Sequence, residues 1–142
     1  MKMEKWVLYA FVSMLFAGFT SVIAKLGLAG ISGELGLTVR TLYVAVFVLL
    51  FAAVAVPLRD WGGLTANNLL WLGLSGVTTA LSWIFYYKAL KAGEVATVAL
   101  IDKGSVVVAM LLAWLLLREA ITARMLLGAA MIVGGLLVIA RR

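Results

Sequence analysis

The sequence contains no cysteine, no histidine and a single proline, and only 13% of its 142 residues are charged. Each shortage excludes something. Without histidine there is no Ser-His-Asp triad, no imidazole acid–base chemistry and little scope for transition-metal binding. Without cysteine there are no thiolate zinc or iron–sulfur sites, so neither metal nor cofactor is expected; the lack also fits a reducing or membrane setting. A water-soluble domain carries about 25% charged residues, and disordered chains carry more still. Both classes are therefore excluded.

What is present is apolar. Hydrophobic residues make up 65% of the chain, and the mean hydropathy is +1.17. The net charge of +6 comes from 12 Lys+Arg against 6 Asp+Glu. These basic residues are scattered singly, which fits the flanks of membrane spans and anionic lipid head groups rather than nucleic acid.

A bilayer core of about 30 Å needs roughly 20 apolar residues in a helix. Five such stretches can be drawn: Trp6 to Gly30, Thr38 to Leu58, Asn67 to Lys91, Val95 to Leu117 and Thr122 to Ala140. The glycine-rich 30–36 segment, Pro57-Leu-Arg-Asp60, Lys91-Ala-Gly-Glu94 and Arg118-Glu119 punctuate them, and Thr122 is placed to cap the fifth. Segments such as Val106–Leu117 are apolar all round, which suits a helix in lipid and not an alternating barrel strand. The fold class is thus an all-α integral membrane protein of five transmembrane helices. The first apolar run has the length of a span and four more follow, so it reads as a retained span rather than a cleaved leader.

The orientation signal is balanced. One side of the membrane would collect Lys2, Lys5, Arg59, Arg118 and Arg124, and the other Arg40, Lys88, Lys91, Arg141 and Arg142. With no excess to fix one orientation, the chain is expected to insert both ways and form an antiparallel homodimer of ten helices, the arrangement many transporters reach covalently with inverted repeats. Arg40 is read as an interface anchor opening span two.

Charges inside a span cost about 2.5–3.5 kcal/mol each on insertion scales and so mark candidate function. Asp102 and Lys103 lie well inside span four. Neighbouring helical positions diverge by about 100°, so each is expected to meet a partner on another helix. Asp102 is the candidate proton or cation switch; a structural salt bridge to a lysine of another helix is the alternative. Lys25, near the end of span one, is a further candidate, though it is near enough to an end to snorkel. Span three carries Ser75, Thr78 or Thr79, Ser82 and Tyr86 at three- to four-residue spacing, on one face. That stripe serves either interhelical hydrogen bonds or the wall of a solute path. Trp6, Trp61 and Trp114 read as an aromatic belt. Trp83, Tyr86 and Tyr87 lie deeper, where they could line the path, and Trp83 and Tyr87 could stack on an aromatic or cationic solute. Ala130 and Gly134 form a small-x-x-x-small pair for packing or for a dimer seam. No nucleophile stands with a base, so an enzyme is not expected.

These features resemble the EamA-type domain of the drug/metabolite transporter superfamily over nearly the whole chain, 1–142, as one domain. The likeness is carried by Phe16–Gly27, by Val39-Arg-Thr41, by Ala89–Val98 running into Ile101-Asp-Lys103 and Ser105, and by Arg118-Glu119 with Gly128 and Gly134-Gly135. Members commonly hold two five-span domains as inverted repeats. The resemblance therefore implies a single-domain version that pairs with its own copy in the inner (cytoplasmic) membrane and moves a small organic solute such as an amino acid, metabolite or drug. Two positions depart from the pattern. Leu100 replaces a common proline, which would straighten span four, and Gly104 replaces a leucine, which would restore local flexibility. Two other readings stand beside secondary transport. An exporter of aromatic cations of the small multidrug type would have four spans and a glutamate in the first. A non-transporting accessory subunit would show no flux when reconstituted alone.

Overall fold

The computed structural model describes residues 4–140. Among these the regular structure is entirely helical: α1 (Lys5–Gly27), α2 (Gly33–Ala55), α3 (Leu58–Trp61), α4 (Ala66–Ala92), α5 (Val95–Asp102), α6 (Ser105–Leu117) and α7 (Ala123–Ala140). Four stretches are long and apolar enough to cross a bilayer, namely α1, α2, α4 and the combined 95–117 stretch; Ala123–Ile139 is apolar but shorter. Lys2, Arg141 and Arg142 of the charge count lie outside the described residues.

The chain divides into two compact units. One runs from Val22 to Ala92; the other combines the described residues up to Ser21 with those from Gly93 onward. In the first unit α2 packs along α4, with Leu28, Tyr87 and Leu90 buried. Most other large apolar side chains are exposed, as expected where the surrounding solvent is hydrocarbon.

Local chemistry sets the helix limits. In α1 the hydroxyls of Thr20 and Ser21 donate to the carbonyls of Phe16 (2.8 Å) and Ala17 (3.2 Å), which satisfies them within the helix. The connection to α2 is shorter than the glycines imply. Ser32 caps α2 by accepting from the Leu35 N–H at 3.2 Å, so Gly33 and Gly36 are helical and α2 begins five residues before Thr38. Val56, ahead of Pro57, is extended (φ −110°, ψ 108°), as the proline ring requires, and α2 stops there. Thr65 and Asn68 exchange backbone-to-side-chain bonds of 3.1 and 3.2 Å, a reciprocal box that opens α4. Thr122 caps α7 as expected, accepting from Met125 N–H at 3.3 Å.

In the second unit α5 and α6 both contact α7. Span four is interrupted although position 100 is leucine and not proline. The amides of Lys103 and Gly104 donate to Leu100 O (3.1 Å) and Ile101 O (2.9 Å), and those of Val106 and Val107 to Lys103 O and Gly104 O. These i→i−3 bonds tighten the helix into a 3₁₀ turn without unwinding it. A Cβ on Gly104 would stand 2.9 Å from Leu136 Cδ1 and 3.1 Å from Ile101 O, so glycine lets α7 close on the turn. The helix ends at Arg118, which takes a left-handed conformation at φ 56°.

Candidate functional site

The unit formed by Val22–Ala92 holds a cavity of about 890 Å³ between α2 and α4. Leu37, Leu42, Leu72 and Ile84 make much of its wall. Its polar lining is Glu34, Thr38 and Thr41 from α2 with Ser75, Thr79 and Lys88 from α4, and Trp83 adds an aromatic surface. The threonines are satisfied locally: Thr38 and Thr41 donate to Glu34 O and Leu37 O, and Thr78 and Thr79 both donate to Ser75 O. Glu34 and Lys88 pair at 3.6 Å. Both are exposed, so the pair contributes about 0–1 kcal/mol.

The earlier start of α2 changes the role of Arg40. It does not open the span; it lies in the eighth position, roughly 10 Å along the helix axis. This takes it out of the loop count of basic residues. Its guanidinium stacks over the Trp83 ring, 4.2 Å from the centroid, and lies 5.9 Å from that of Tyr87. Such contacts are worth about 0.5–2 kcal/mol. Tyr86 and Tyr87 meet edge to face at 6.4 Å. The two helices can approach because Gly33 has no side chain: a Cβ there would stand 3.0 Å from Tyr87 O.

Of the residues selected from sequence, Trp83, Tyr86 and Tyr87 therefore cluster on one turn of α4. Ser75 and Thr79 of the polar stripe line the cavity; Ser82 is exposed and does not. Lys25 donates from Nζ to Leu90 O at 2.5 Å and to Lys91 O at 3.4 Å, and Lys91 Nζ donates to Leu28 O at 3.0 Å. Each lysine thus satisfies terminal carbonyls at the other's helix end, where a positive charge is favoured. Glu34, Arg40 and Lys88 were not selected from sequence. The signal that places them is Ser32 followed by an acid in the first turn, a helix start upstream of Thr38.

In the other unit Asp102 and Lys103 pair with each other, Nζ to Oδ2, at 3.4 Å. The expectation that adjacent positions diverge too far is corrected: the four-carbon lysine stem spans the angle between the two Cβ directions, and neither side chain is packed tightly enough to prevent it. Gly134 faces open space, since a Cβ there meets nothing within 4 Å among the described residues.

Residues 4–141 match the EamA-like transporter family. The chain belongs to that family. A protein of Sinorhizobium sp named "Uncharacterized transporter in cobO 3'region" is 34% identical over 140 residues, covering 96% of this chain and 97% of that protein. No solved structure matches the chain. EamA-like proteins are membrane transporters and not enzymes, and the apolar helices agree with a multi-pass membrane protein. For an EamA-like transporter with a bacterial relative, the inner membrane fits.

Proposed function

We propose that the chain is a secondary transporter of a small organic solute, working as an antiparallel homodimer of ten spans by alternating access. The observation that carries this reading is the cavity between α2 and α4, walled by Trp83, in a chain whose family transports solutes. Trp83, Tyr86, Tyr87, Asp102 and Lys103 serve the solute path, with Lys25 and Ser82 in support. Ala130 and Gly134 belong to the seam between copies. The nearly even charge distribution supports dual insertion, and α7 is the fifth crossing.

Topology is tested with a single cysteine at Asp60 or at Glu94, since the chain has no other. Intact cells are labelled with a membrane-impermeant thiol reagent, and labelling after permeabilisation gives the total. Near-half labelling at both positions is expected; full labelling at one and none at the other refutes dual insertion. Transport is tested in proteoliposomes loaded with amino acids and short organic acids, with release followed by mass spectrometry. Absence of release from the reconstituted chain refutes the transport reading.

Asp102 is the proton or cation switch in this scheme. Its carboxylate lies 3.4 Å from the ammonium of Lys103, within the apolar 95–117 stretch. Asp102→Asn is therefore expected to abolish the response of release to an imposed pH gradient. A variant that still follows the gradient would show that the pair is structural.

A further inference from the structure

Among the described residues Arg40 is a cation with no ion-pair partner. Its Nη1 is fully buried and has no hydrogen-bond partner among the described residues. The ion pairs found there engage Arg59, Lys88 and Lys103. Arginine remains ionised at any physiological pH, so it cannot escape burial by losing its proton. An unmatched charge within a span is costly and marks function by default. Stacking on Trp83 uses the face of the guanidinium. The N–H donors of a guanidinium lie in its plane and are not consumed by stacking, and two of them can take an oxyanion through parallel hydrogen bonds. The carboxylate that lines the cavity, Glu34, is already held by Lys88, so Arg40, Lys88 and Glu34 together leave one positive charge uncompensated.

We propose that Arg40 recognises an oxyanion, a carboxylate or phosphate, carried by the transported solute, whose apolar body lies against Trp83. The indole connects the two parts because it both lines the cavity and underlies the guanidinium. This inference rests on the transport reading and narrows its substrate class to organic molecules bearing an oxyanion.

The test uses the purified full chain in neutral maltoside detergent and three probes of one shape: phenylacetate, phenylacetamide and phenethylamine. Binding is measured calorimetrically. Phenylacetate is expected to bind at least tenfold more tightly than the other two. Arg40→Lys keeps the charge but not the fork and is expected to weaken phenylacetate binding about tenfold; Arg40→Gln is expected to erase the preference for the anion. Size-exclusion profiles identify folded variants, and Arg40→Lys carries the test should Arg40→Gln not fold. Equal binding of phenylacetate and phenylacetamide to the unmodified chain overturns the inference. So does an anion preference that survives both substitutions, or a dimer that falls apart on Arg40→Gln without any phenylacetate binding, which assigns the guanidinium to a second copy. Displacement of phenylacetate by phosphatidylglycerol but not by phosphatidylcholine places the oxyanion on lipid and overturns the solute assignment. Anion-selective binding without release from proteoliposomes defeats the transport reading and leaves Arg40 as an oxyanion site. Release of amines in preference to acids defeats the inference and leaves transport intact.

Discussion

Trp83→Ala is expected to reduce solute release from proteoliposomes by about tenfold or more at matched protein density. The indole is half-buried, forms part of the cavity wall and supports the Arg40 guanidinium at 4.2 Å. Truncation removes apolar contact area, at about 25 cal/mol per Å², together with a cation–π contact of about 0.5–2 kcal/mol. Each 1.4 kcal/mol lost from solute binding is about a tenfold loss, so the two effects together reach that magnitude without any collapse of the fold. Trp83→Phe keeps a ring beneath the guanidinium and is expected to stay within a fewfold of the unmodified chain. Equal release by Trp83→Ala and the unmodified protein would remove Trp83 from the solute path.

Gly33→Val is expected to destabilise the α2–α4 pair by about 1–3 kcal/mol, the usual range for overpacking a close contact. A Cβ at position 33 would meet Tyr87 O at 3.0 Å, Tyr87 C at 3.3 Å and Lys88 N at 3.5 Å. All three are backbone atoms and cannot rotate aside, so the helices must separate. Separation would also loosen the Arg40–Trp83 stack and the Glu34–Lys88 pair, which bridge the same helices. Gly73→Ala is the control. Position 73 lies in the interior of α4 with nothing within 4 Å of an added Cβ, and alanine there is expected to be neutral or stabilising by up to about 1 kcal/mol. Unfolding in mixed micelles with increasing dodecyl sulfate would order the two variants; a Gly33→Val midpoint equal to that of the unmodified chain would show that the approach at Gly33 is not under strain.

The helical membrane class was legible because it depends on composition and on apolar runs too long for a soluble core. The boundaries of α4 and the cap at Thr122 were nearly legible for a related reason: their signals are local in the chain. The start of α2 was not read correctly, because glycines at 30, 33 and 36 resemble a turn until Ser32 is recognised as the cap. That one misplacement hid Arg40, which became a boundary anchor on paper and stands inside a span in the structure. Trp83, Tyr86 and Tyr87 were selected for their depth, which sequence reports. The stacking of Arg40 on Trp83 depends on two helices approaching through Gly33, a contact between distant positions that periodicity does not encode. The Asp102–Lys103 pair was missed for a different reason. Helical angles give the directions of Cβ atoms, whereas a lysine ammonium sits at the end of four flexible methylenes.

The left-handed conformation of Arg118 has a consequence for the end of α6. An L-residue in that region bears roughly 1–2 kcal/mol of steric strain that glycine would avoid. Against this stand two attractions that glycine lacks. The carbonyl end of the helix macrodipole favours a cation by about 0.3–1 kcal/mol, and each basic residue near an anionic leaflet gains about 1 kcal/mol. The strain and the two attractions are of similar size. A cation at this position thus offsets much of the strain of ending α6 on a residue other than glycine.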